Sequence, residues 1–203
     1  MGRDEPPATA PRALGAREQK RFLRAVEKRP LARDRAIGRL LFYSGLRVGE
    51  LVALDVEDVL LSARKGTVIV RAGKNDASRT LPLTDASARE AVADCKRERA
   101  AWPGADTAAL FLNRRGGRLS DRAVNLLLAE LALDADLVDE NGRPALSAHV
   151  LRHTFGTNLT RSGVDVVTVA QLMGHKRLET TRRYTLPTQA DIEAAVARLP
   201  TDE

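Results

Sequence analysis

The chain has 203 residues, 43% of them hydrophobic but only 3% aromatic, a length and composition that suit one helix-rich domain better than two domains or a β-sandwich. A single cysteine, Cys95, excludes an internal disulfide, and no apolar run is long enough for a signal peptide or a membrane span, so a reducing, cytoplasmic setting with no membrane partner is expected. The net charge of +6 is compatible with nucleic acid or a membrane surface and is unevenly placed: from Arg12 to Arg47, eleven Lys and Arg stand against three acids, Glu18, Glu27 and Asp34.

Residues 1–13, with three prolines and little to bury, read as a flexible leader or linker stub, leaving residues 14–203 for the folded domain. From Ala16 to Arg29 the spacing predicts a helix, with Phe22, Leu23 and Val26 on one side. Arg17, Lys20, Arg21, Arg24 and Lys28 lie on the other, a face that is either simply solvated or applied to phosphates. A second helix runs from about Ala32 to Tyr43 and stops at Ser44-Gly45, and Arg47 then opens a short third helix. Strand patterns follow at Asp55 to Leu60, Thr67 to Arg71 and Thr80 to Leu83, with Gly73-Lys74-Asn75-Asp76 as a turn, giving a small antiparallel sheet. Thr84 is the expected cap of a helix over 85–101, Ser120 of one from Asp121 to Leu133, and Ser147 of one from Ala148 to Arg161. A short helix over Val166–Met173 ends at Gly174. The tail, about 188–199, places Ile192, Val196 and Leu199 at helical spacing but is too short to be stable without docking. The expected fold class is α+β, mainly α, with a three-stranded antiparallel sheet.

The densest chemical signal is His149-Val150-Leu151-Arg152-His153 on a capped helix. His149 and Arg152, three apart, share a face, and an imidazole beside a guanidinium can handle a phosphate, one moving a proton while the other stabilises charge. His149 and His153 also have the spacing of a zinc pair, but Val150 stands where a metalloprotease needs Glu and no third ligand is evident. Arg47 at a helix start is either a surface residue or a phosphate ligand beside exposed N–H groups. Lys74 is by itself a turn lysine. Tyr184 lies among Thr180, Thr181, Arg182, Arg183 and Thr185, neighbours that a core tyrosine seldom has.

Taken in order, Ser44-Gly45-Leu46-Arg47-Val48-Gly49-Glu50-Leu51, Gly73-Lys74 with Arg79-Thr80-Leu81-Pro82-Leu83, Phe111 to Ser120, His149 to Phe155, Leu172 to His175 and Thr180 to Thr185 resemble the motifs of the tyrosine recombinase, or phage integrase, family. The likeness is greatest to its bacterial chromosome-dimer-resolution members. It covers about Ala16 to Leu199, and Met173 and Leu186 depart from the commoner Leu and His. The resemblance implies the family's helical catalytic fold and a metal-independent cleavage and rejoining of DNA strands through a 3′-phosphotyrosyl bond to Tyr184. It assigns Arg47 and Arg152 to the phosphate, His149 as general base, His175 as a donor to the phosphate and Lys74 as general acid, with Glu50 holding Arg47. It calls for no cofactor and no metal. Its partners are double-stranded DNA, contacted by the basic face of the first helix together with Arg79, Arg114, Arg115 and Arg118, and other protomers of a DNA-bound tetramer joined through Ile192, Val196 and Leu199. A type IB topoisomerase activity and a non-catalytic helical DNA-binding regulator are the competing readings.

Overall fold

A computed structural model describes residues 12–71 and 78–174. The expected tail helix at 188–199 and the turn around Lys74 lie outside the described residues.

The fold is built around α2 (Ala32–Ser44), which packs on α1 (Ala16–Glu27), α4 (Ala86–Arg99), α5 (Asp121–Asp134) and α6 (Ala148–Arg161). Its composition explains that position: Ala36, Ile37, Leu40, Leu41 and Phe42 are buried around most of its circumference, the pattern of a helix largely surrounded by others. α1 instead buries one stripe, Phe22, Ala25 and Val26, while Arg17, Lys20, Arg21, Arg24 and Lys28 lie on the side facing away from it, as the spacing predicts. It ends at Glu27, two residues earlier than expected, because Pro30 disfavours helical backbone just before it. Ahead of α1, Leu14 is buried and its N–H donates to Thr154 Oγ1 at 2.9 Å, fastening the start of the helix to α6.

The sheet is three-stranded and antiparallel in the order β1 (Val59–Leu61), β2 (Gly66–Val70), β3 (Arg79–Pro82). Val59 pairs with Val68 and Val68 with Leu81, so one row of buried side chains crosses all three strands. The strand pattern from Asp55 overreaches. Residues Val56–Asp58 form a 3₁₀ turn, because Asp58 Oδ2 accepts from the Asp55 N–H at 2.8 Å and closes the backbone before a ladder can start.

Local signals set the helix starts. Ser120 and Ser147 accept from Ala123 N and Val150 N, as expected of N-caps. α4 is capped by Asp85 rather than Thr84, the carboxylate accepting from Ala88 N at 2.8 Å, an oxygen that a helix N-terminus also favours electrostatically. Asp165 caps α7 (Val166–Met173), whose far end reaches the site. None of the helices among the described residues is long and apolar enough to cross a membrane.

Candidate active site

Three arginines from three different elements meet at the C-terminal end of α7. The last carbonyls of a helix have no partner within it and carry the negative end of its dipole, so they attract cations. Arg79 Nε donates to the Leu172 carbonyl at 3.0 Å, Arg152 donates through Nη2 to that of Met173, and Arg47 Nη2 donates to that of Gly174 at 3.4 Å.

Each arginine is delivered by local structure. Arg47 is the N-cap of α3 (Val48–Ala53), and Glu50, in the third helical position, reaches back to accept from the Arg47 N–H at 2.8 Å, the carboxylate half of a capping box. The same carboxylate accepts from Arg47 Nη1 at 2.9 Å, as the sequence leads one to expect of Glu50. Arg152 lies on α6 and is 3% exposed; its Nη1 donates to the Gly45 carbonyl at 2.6 Å, two residues before Arg47. The two helix ends that supply these carbonyls both require glycine. Gly45 and Gly174 have φ of 61° and 63°, and a Cβ would lie 2.4 Å from Phe155 Cδ1 at the first and 2.7 Å from Arg79 Nη1 at the second.

Arg79 departs from the expected DNA contact. Its side chain is 8% exposed and forks onto Glu50, Nη1 to Oε1 and Nη2 to Oε2, both at 2.8 Å. Strand parity carries the signal for this placement: Arg79 and Leu81 share a face of β3, and Leu81 is buried. Burial works against the Glu50 charge, but hydrogen bonds from Arg79 and from the Arg47 backbone, with both guanidinium charges, outweigh it and hold the carboxyl below its ordinary range. Among the described residues the cluster sets three guanidiniums against one carboxylate, the excess of positive charge that a phosphate site calls for.

Arg118, whose side chain is 40% exposed, donates to the carbonyls of Val52 and Leu54 at 2.9 and 3.0 Å and to Asp55 Oδ1 at 2.5 Å, tying its loop to the end of α3. Asp55, for which the sequence offers no signal beyond a strand start, also binds Arg71 at 2.7 Å; the Arg118 hydrogen bond, opposed by burial and joined by Arg71, keeps its carboxyl low. Beside Arg47 and Glu50 a groove of about 510 Å³ opens between α3 and β2, with Ile69 and Arg71 on its far wall.

The other expected residues divide by location. His149 is exposed on the first turn of α6, whereas His153, one turn on, is buried; burial and the nearby His149 charge both push its imidazole below the usual range. Arg114 and Arg115 are exposed at a loop tip, and on α1 Arg21 pairs with Asp136 at 2.8 Å. Lys74, His175, Tyr184, Ile192, Val196 and Leu199 lie outside the described residues, although His175 directly follows Gly174 in the chain.

The sequence model of the phage integrase family matches residues 12–190. A tyrosine recombinase XerC of Roseiflexus castenholzii is 39% identical over 181 residues, covering 86% of this chain and 55% of that protein. A tyrosine recombinase XerD of Mycobacterium tuberculosis is 39% identical over 158 residues, covering 77% and 48%. The chain thus spans about half the length of these curated relatives. Among solved structures, XerA recombinase superposes with a TM-score of 0.78 at 28% identity, covering 96% of this chain and 68% of that one. XerH site-specific recombinase, bound to difH substrate before cleavage, gives 0.79 at 26% identity, covering 96% and 56%. A helical fold with a three-stranded antiparallel sheet, arginines gathered at one helix end, and a sequence match over most of its length together make this chain a member of the phage integrase family.

Proposed function

We propose that residues 14–203 form the catalytic domain of a tyrosine site-specific DNA recombinase, acting through Tyr184. The observation that carries this reading is the convergence of Arg47 and Arg152 on adjacent carbonyls at the end of α7, one residue before His175. Two guanidiniums fixed in this way supply, before the reaction begins, the positive charge that a phosphoryl transition state develops a need for. Cleavage then needs no metal.

An unperturbed phenol ionises near pH 10, so forming its anion at neutral pH costs roughly 4 kcal/mol. His149, on the exposed start of α6, is the proposed base that offsets this cost. The Tyr184 oxygen attacks phosphorus, the bond to the 5′ oxygen breaks, and that oxygen takes a proton from Lys74. His175 donates a hydrogen bond to the phosphate. The phosphotyrosine ester retains the energy of the broken bond, so a 5′-hydroxyl of another strand reverses the step without ATP. Double-stranded DNA is the proposed partner, held outside the chemistry by the basic face of α1 and by Arg114 and Arg115. The tail residues Ile192, Val196 and Leu199 are proposed to dock on a neighbouring protomer in a DNA-bound tetramer.

The test uses a pool of nicked duplexes of randomised sequence, from which SDS-stable protein–DNA adducts are recovered and sequenced. The wild-type chain should yield adducts and Tyr184→Phe none. Adducts of normal yield from Tyr184→Phe would falsify the nucleophile assignment, and their absence from the wild type favours a non-catalytic DNA-binding regulator.

A further inference from the structure

We infer that Arg79 is a positioning residue that holds Arg47 and the end of α7 in one fixed relation. The inference rests on the reading of Arg47 as a phosphate ligand. Three observations carry it. The Arg79 side chain is 8% exposed, and each of its three nitrogens donates to a partner inside the protein. One edge of its guanidinium makes the two 2.8 Å hydrogen bonds to Glu50, and Nε donates to the Leu172 carbonyl at 3.0 Å, so a single planar group spans α3 and α7 from its place on β3. Finally, the α7 cap fits against it so closely that a Cβ on Gly174 would fall 2.7 Å from Nη1.

The consequence follows from Glu50 being shared. Each of its oxygens accepts from Arg79 and also from Arg47, Oε1 from the side chain and Oε2 from the backbone N–H. A carboxylate on a short arm has little torsional freedom once a planar fork grips it, so Arg79 fixes the plane of Glu50, and Glu50 fixes Arg47. The remaining hydrogen bond, Arg47 Nη2 to the Gly174 carbonyl, closes the ring through the same helix end that Arg79 holds. Lysine, with one nitrogen where arginine uses three, cannot reproduce the fork on Glu50 together with the bond to Leu172.

The experiment compares wild type, Arg79→Gln and Arg79→Lys by amide hydrogen exchange and by single-turnover adduct formation at saturating duplex, using sequences recovered from the randomised pool. In Arg79→Gln the Arg47 amide should exchange roughly tenfold or more faster, as expected for a lost charge-assisted hydrogen bond, while Leu40 and Leu41 in α2 keep their protection. Adduct formation should slow on the order of 100-fold with little change in duplex affinity, the effect of a misplaced reacting group rather than a lost ligand. Arg79→Lys should fall between, and it carries the test if Arg79→Gln does not fold. An unchanged adduct rate overturns the inference, as does an Arg47 amide accelerated over wild type by no more than the α2 core amides are. Should the wild type form no adduct, the recombinase reading fails by itself, and the exchange measurement still decides whether Arg79 positions Arg47.

Discussion

Two arginine-rich regions of this molecule use the same side chain in opposite ways. On α1, Arg17, Lys20, Arg24 and Lys28 extend, exposed, from the face turned away from the core. At the end of α7, Arg47, Arg79 and Arg152 are committed to main-chain carbonyls, two of them also to one carboxylate. An exposed cation attracts any phosphate and is screened by salt, whereas one whose donors are already aimed loses little on meeting a particular phosphate. On the proposed reading, binding belongs to the first region and chemistry to the second.

Substitutions can break that division, beginning where the effect is greatest. Arg152→Lys removes a planar group that serves Gly45 and Met173 together; adduct formation should fall by about 10²–10³, the scale of one lost transition-state donor, while gel-shift affinity changes little. Equal losses in both would move Arg152 to the binding region. Glu50→Gln leaves Arg47 and Arg79 facing a neutral amide, and chemical denaturation should show a loss of about 3 kcal/mol, as for a buried ion pair deprived of one partner. The same group sets a pH dependence. Its folded value is lowered, so the stability it contributes is complete above the ordinary glutamate range and is lost as pH falls through that lower value. Stability of the wild type in acid should therefore decline more steeply than that of Glu50→Gln.

Gly174→Ala forces a side chain into left-handed backbone against Arg79, and thermal melts should report a loss of about 1–2 kcal/mol. A smaller effect on folding is expected from replacing Arg17, Lys20, Arg24 and Lys28 with Gln: within about 0.5 kcal/mol, as for exposed positions. The same variant should bind duplex less tightly, with the slope of log K against log salt shallower by about 0.9 for each phosphate no longer neutralised. A slope that does not move would show the α1 face to be merely solvated.

What the sequence discloses follows the range of the interaction. Ser120 and Ser147 announce their helices because a cap acts within three residues, and α2 is readable because its apolar positions recur within a turn. Asp55 to Asp58 misleads for the same reason in reverse: a carboxylate three residues away closes a turn that strand-like composition conceals. The arginine cluster is different. Arg152 meets Gly45 across 107 positions and Arg47 meets Gly174 across 127, distances over which no periodicity carries information. There the order of the motifs, through family resemblance, stands in for geometry, and it names Arg47 and Arg152 without revealing that both end on one helix. Arg79 is legible in principle from its parity with Leu81, yet a basic residue beside a turn reads first as a surface charge.

The division between gripping and reacting charges depends on Arg47 and Arg152 acting upon one phosphate. Single-turnover adduct rates for Arg47→Lys, Arg152→Lys and the double variant test this directly, since residues that serve a single transition state do not contribute independently. The double variant should be scarcely slower than the worse single variant; two losses that multiply in full would place the guanidiniums at separate tasks.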